Sequence, residues 1–150
     1  MVNFKLSRVA KERMVLVIRL LAIFLFSYTA YAKLVDHERF FNGLANVQLI
    51  RGMADYIAWL VPLAEIVVAV LLLLPATARW GLYAFAGLLV LFSGYIISAL
   101  MWEKTLPCHC GGVIEEMSWT QHLLFNLFFI GLGAIALRLN KQLSKLKLKK

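Results

Sequence analysis

Four apolar runs divide this chain, and each is close to the length that crosses a lipid bilayer. They are Met14–Ala32, Ile57–Leu74, Trp80–Met101 and Thr120–Leu137. A helix of about 17 to 25 residues spans the roughly 30 Å hydrocarbon layer. Helices are required because lipid offers no partner to a free backbone N–H or C=O. The runs therefore predict an all-α membrane protein, a four-transmembrane-helix bundle. Their boundaries are consistent: Pro75 follows the second run, and "PCHCGG" separates the third from the fourth. With 62% of residues hydrophobic and 16% charged, the chain does not fit a soluble globule of this size. The first partner expected is the lipid bilayer. Nucleic acid is excluded as a partner, because its readers present basic surface on a soluble fold and no soluble part remains.

The basic residues give an orientation. Lys5, Arg8, Lys11 and Arg13 precede the first run, Arg79 sits between the second and third, and Arg138, Lys141, Lys145, Lys147, Lys149 and Lys150 follow the fourth. These eleven share one side of the membrane. Only Lys33, Arg39, Arg51 and Lys104 fall on the other. The positive-inside rule then puts both termini in the cytoplasm and the third loop outside. The division expected is a basic N-terminus at 1–13, a transmembrane domain at 14–137 and a basic tail at 138–150. That tail either lies along the anionic inner leaflet or is solvated. The start of the chain, with "AYA" at Ala30–Ala32, also fits the loose pattern of a cleaved signal peptide. Arg19 interrupts that apolar core, so the segment is read as a retained first span.

Both cysteines of the chain lie in the third loop, as Cys108-His109-Cys110. Even with His109 this set is too crowded for a closed tetrahedral metal site, so no metal is expected. A disulfide between residues i and i+2 needs a backbone turn to bring the Cα atoms within about 4.4 to 6.8 Å. Gly111 and Gly112 give freedom directly after the pair. A ring this small is strained, and strained, exposed disulfides are the labile, oxidising ones. An imidazolium at His109 would favour the thiolate. A stabilising staple is a poor explanation, because so short a loop removes little chain entropy. Redox-active thiols and two incidental free thiols are the readings left.

Other polar residues interrupt the spans. Arg19 lies about 7.5 Å and Glu65 about 13.5 Å from the cytoplasmic ends of their helices, at a rise of ~1.5 Å per residue. A long arginine can bridge most of that difference, so Arg19 is the expected partner of Glu65, either fixing helix register or serving proton transfer. Pro62, one turn before Glu65, is expected to kink or loosen its helix. Ser118, His122 and Asn126 recur every four residues and share one face of the fourth span. They can join helices by hydrogen bonds, or His122 and Asn126 can hold a quinone carbonyl and relay protons. Gly81, Ala84, Gly87, Gly94 and Ser98 form a small-residue stripe expected to pack closely on a neighbour. In the first loop Phe40, Leu44 and Val47 are spaced for an interfacial helix roofing the bundle. Asp36 and His37 there read as solvated residues.

The chain resembles the MauE family of methylamine-utilisation membrane proteins, with DoxX-like relatives. The resemblance covers roughly Val15 to Leu137 and is carried by "YAKLVDHERF", "VPLAEIVVAVLLLLP" and "CHCGGVIEEMSW". Its most specific element is Cys-x-Cys-x-Gly, formed here by Cys108, Cys110 and Gly112. Lys33, Pro62, Glu65 and Asn126 match further family positions, whereas His109 and Gly111 depart from the usual residues. The resemblance implies thiol–disulfide chemistry outside the cytoplasmic membrane of a bacterium, alongside a thioredoxin-like partner. Family members are associated with maturation of the disulfide-rich small subunit of methylamine dehydrogenase.

Two classes of function follow. In one, Cys108 and Cys110 form the catalytic pair of a thiol–disulfide redox protein, supported by His109, Gly112, His122, Asn126, Glu65 and Arg19. With two cysteines on one face, no thiol relay crosses the bilayer. The second redox partner is then a quinone or another protein. In the other class the chain is a non-catalytic assembly or chaperone subunit. A variant of that reading hands over Cu(I), with thin support from Met53 and Met101.

Overall fold

The computed structural model describes residues 7–48, 50–102 and 118–148. Five α-helices follow in chain order: α1 (Arg8–Val35), α2 (His37–Ala45), α3 (Ala54–Leu73), α4 (Ala78–Trp102) and α5 (Trp119–Leu148). A 3-10 turn at Arg51–Met53 leads into α3. No strand occurs among the described residues. Four of the helices, all but α2, are long and apolar enough to cross a membrane.

Local chemistry sets the ends of these helices. The Ser7 hydroxyl accepts from the Ala10 N–H at 3.2 Å and caps α1, satisfying one of its unpaired amide donors. At the α3–α4 turn, Leu74 is extended at φ −81°, ψ 123°, as the residue before a proline should be. The Thr77 hydroxyl then donates to the Leu71 carbonyl at 2.9 Å, closing the turn. Ser118 and Gln121 cap α5 reciprocally. The Ser118 N–H donates to Gln121 Oε1 at 2.9 Å, and the Ser118 hydroxyl accepts from the Gln121 N–H at 3.3 Å. That capping box takes Ser118 out of the polar stripe expected on this helix.

The four long helices pack in the cyclic order α1, α3, α4, α5. Lipid tails are as apolar as the side chains they cover, so close packing and polar pairs hold such a bundle rather than exclusion of water. One half is tightly filled. Ile18, Ala22 and Phe26 meet Val68, Ala69 and Leu72, with Leu82, Phe85 and Leu89 opposite and Ala136 from α5. The Phe26 and Phe85 rings lie 4.7 Å apart between centroids. The outward faces carry exposed Leu16, Leu20, Phe24, Leu63, Val67 and Phe128, as a lipid-facing surface should.

The small-residue stripe of α4 behaves differently from the expectation. A Cβ on Gly81 would lie 2.8 Å from the Leu72 backbone nitrogen, so α3 and α4 touch there only because the residue is glycine. Gly87 and Gly94 are exposed and meet nothing within 4 Å. Helix α5 continues past Leu137 without a break, and Leu139 and Leu143 bury against Val15 of α1.

The short α2 lies across the opposite end of the bundle. Phe40 and Leu44 bury against Ala54 and Ala58, with Tyr95 of α4 beside them. Val47 is also buried. Phe40 and Leu44 thus seat a helix that covers the bundle on that side, whereas Val47, expected on the same helix, lies beyond its end at Ala45. The His37 and Trp59 rings lie tilted against each other, 4.1 Å between centroids, and the Asp36 carboxylate lies 3.8 Å from the Arg39 guanidinium. Among the described residues no group of three His, Cys, Asp or Glu side chains converges as a metal site.

Candidate functional site

Beneath α2 the bundle is not filled. A cavity of about 520 Å³ lies between α1, α3, α4 and α5, its walls mostly apolar. Its size and lining are those of a small-molecule pocket, with a few polar groups placed among hydrocarbon. Those groups are Thr29 and Lys33 from α1, Glu65 from α3, Tyr95 from α4, and His122 and Asn126 from α5.

An ion pair anchors the polar end. Lys33 Nζ lies 2.9 Å from Glu65 Oε1 and 3.2 Å from Oε2. The Glu65 side chain is 2% exposed and that of Lys33 13%. Helix α1 makes this contact because it runs three residues beyond its apolar run, which keeps Lys33 on the helix, one turn from Thr29. The ammonium also donates to the Thr29 carbonyl at 3.4 Å and sits 5.7 Å from the centre of the Phe40 ring. The Thr29 hydroxyl donates to the Phe26 carbonyl at 3.3 Å and lines the same cavity. A buried charge is tolerated when paired and hydrogen-bonded, and Glu65 is both.

Arg19 is not part of this site. It lies on the filled half of the bundle, where its Nε donates to the Leu72 carbonyl at 3.1 Å. Its Nη2 donates to the same oxygen and, at 3.5 Å, to the Leu73 carbonyl. Arg19 thus caps the C-terminus of α3, where unpaired carbonyls and the negative end of the helix dipole favour a cation. The expected Arg19–Glu65 pair is replaced by two separate contacts. Glu65 lies about two turns before Leu72, roughly 10 Å along α3 at ~1.5 Å per residue, so one guanidinium cannot serve both.

On α5, His122 and Asn126 stand one turn apart on the cavity wall. His122 and Lys33 line the same cavity. Asn126 is 2% exposed, and its Nδ2 has no hydrogen-bond partner among the described residues. Glu65 lies on the same cavity, with Pro62 fully buried one turn before it inside a continuous α3. Of the residues singled out in the sequence, Glu65, His122 and Asn126 are therefore brought together. Cys108, His109, Cys110 and Gly112 lie outside the described residues.

Thr29, Lys33 as the partner of Glu65, and Tyr95 were not read from the sequence as site residues. For Lys33 a signal existed. A lysine directly after an apolar run can turn its hydrocarbon stem back along the helix while its charge finds a partner. Tyr95 gave none, since an aromatic near a span end equally fits an interfacial anchor.

The fold and the site together define a polytopic membrane protein, a four-helix bundle packed in one half and hollow with a polar cluster in the other. Within that class the chain belongs to one family: residues 11–139 match the family model described as Methylamine utilisation protein MauE. No curated protein matches the chain. No solved structure matches it either.

Proposed function

We propose that the protein is a membrane-embedded thiol–disulfide exchange protein. Cys108 and Cys110 exchange electrons with a thioredoxin-like protein on the outer face of a bacterial cytoplasmic membrane, supporting disulfide formation or maturation in exported proteins. The observation that carries this reading is one of connection. The segment holding Cys108 and Cys110 joins α4 to α5, the helices that bring Tyr95, His122 and Asn126 to the cavity. Membership of the MauE family and the Cys-x-Cys-x-Gly pattern support it.

The chemistry is a two-step exchange. A thiolate of one protein attacks the disulfide of the other, forming a mixed disulfide and releasing one thiolate. The second thiol of the attacking pair then displaces the remaining partner sulfur. Two electrons and two protons have moved, one pair is oxidised and the other reduced. The difference in reduction potential sets the direction.

The test is a titration of the purified full-length protein in graded thiol–disulfide buffers, read by alkylation and intact mass. A reversible two-electron transition is expected. Replacing either cysteine alone by serine should trap a mixed disulfide with a thioredoxin-fold protein in cells. A pair that never oxidises reversibly, or a Cys108→Ser/Cys110→Ser variant with full biological activity, removes the reading in favour of a non-catalytic assembly subunit.

A further inference from the structure

We propose that the cavity is a binding site for the ring of a lipid-soluble quinone, held by a hydrogen bond from Asn126 Nδ2 to a ring carbonyl. The starting observation is that Asn126 Nδ2 has no partner among the described residues. A buried amide N–H without a partner carries most of its desolvation cost, so a group that occupies this cavity and accepts a hydrogen bond is favoured there. The other charged groups nearby are already engaged, since both Glu65 oxygens and Lys33 are committed to each other. The cavity therefore asks for a neutral acceptor on a largely apolar body. An acyl chain would fill the volume and leave Asn126 unpaired. A quinone carries carbonyl oxygens on opposite edges of a flat apolar ring, and His122 stands one turn from Asn126 on the same wall.

The route of entry is lateral. Leu60 of α3 and Leu91 of α4 line the cavity while being 62% and 67% exposed. These helices touch closely at Leu72 and Gly81, whereas Leu60 and Leu91, farther along them, face the cavity and the lipid side at once. A ligand dissolved in the bilayer can enter there without crossing water.

The site deepens the exchange reading, and its role as electron acceptor rests on that reading. Oxidation of the Cys108–Cys110 dithiol to a disulfide releases two electrons and two protons. Reduction of a quinone to the quinol consumes both, one proton on each carbonyl oxygen. The bilayer-soluble carrier would close the circuit that two cysteines on one face cannot close alone.

The experiment titrates decylubiquinone and, separately, menadione into full-length protein in lipid nanodiscs. Binding is followed by intrinsic tryptophan fluorescence, and copurified quinone and phospholipid are identified by mass spectrometry. Saturable binding of at least one quinone is expected, and the two probes distinguish a benzoquinone from a naphthoquinone site. Asn126→Leu should weaken binding about tenfold, the loss of one neutral hydrogen bond. Ala64→Phe, which fills the cavity from α3, should abolish it, so the outcome does not hang on one variant folding. No saturable binding, phospholipid alone that neither probe displaces, or equal affinity in wild type and both variants overturns the proposal. If Cys108 and Cys110 still titrate reversibly in that case, the exchange reading stands without the cavity. Conversely, the Cys108→Ser/Cys110→Ser variant should keep its quinone affinity. Such binding beside thiols that never oxidise would retain the site and remove the exchange reading.

Discussion

Lys33 and Glu65, 32 residues apart in the chain, form a buried ion pair in which Nζ lies 2.9 Å from Oε1. The pair ties the end of α1 to the middle of α3 and forms the polar end of the cavity. Charges inside a membrane domain persist when they are paired and face the bundle interior. Here the carboxylate receives both its neutralising charge and its hydrogen bonds from Lys33 of α1.

Removing one partner should cost much more than removing both. Lys33→Met or Glu65→Leu alone leaves an uncompensated buried charge and should destabilise the protein by about 3 to 5 kcal/mol. The double variant, apolar on both sides, should recover most of that loss. Thermal unfolding of the three variants in one detergent, set out as a double-mutant cycle, checks this. Additive losses would mean that the two side chains are not coupled.

Arg19 should behave as a helix cap. Arg19→Leu leaves the Leu72 carbonyl without its charged donor and should cost about 1.5 to 3 kcal/mol. Combined with Glu65→Leu, the losses should add to within about 0.5 kcal/mol, as for separate sites. Strong coupling between Arg19 and Glu65 would instead restore the pairing suggested by their places in the sequence.

The glycines of α4 should divide by position. Gly81→Ala puts a methyl group 2.8 Å from the Leu72 nitrogen and should destabilise by about 1 to 3 kcal/mol through overpacking. Gly87→Ala and Gly94→Ala meet no neighbour within 4 Å. They should be neutral or stabilise slightly, because alanine is the better helix former by about 1 kcal/mol. Melting temperatures of the three single variants distinguish the cases.

Topology is open to direct chemical test. With eleven Lys and Arg residues on one side and four on the other, Cys108 and Cys110 should react from outside intact cells with a membrane-impermeant thiol reagent. A cysteine introduced in the C-terminal tail, in place of Ser144, should react only after the membrane is opened. The opposite pattern would invert the orientation.

Much of the architecture was legible because the bilayer imposes it. Four apolar runs of spanning length translate into four helices, and the spacing of Phe40 and Leu44 into a short helix over one end, with Val47 buried just beyond it. Less of the site was legible. Glu65, His122 and Asn126 stand out as polar residues in spans, but their chain positions do not reveal that they meet at one cavity. Lys33 looked like a loop residue because hydropathy ends the span at Ala32, whereas backbone hydrogen bonding carries α1 to Val35. Gly87 and Gly94 share a stripe with Gly81 in sequence, yet only Gly81 touches α3.

The sequence by itself determined the class, the number of spans, the sidedness expected from charge and the one loop that holds both thiols. These follow from transfer of each segment between water and lipid, a property that segments possess one at a time. The partner of Glu65, the role of Arg19 and the hollow half of the bundle were decided only in three dimensions. Each depends on how far one helix is shifted along another, and on which side chains from four helices fail to fill a shared space.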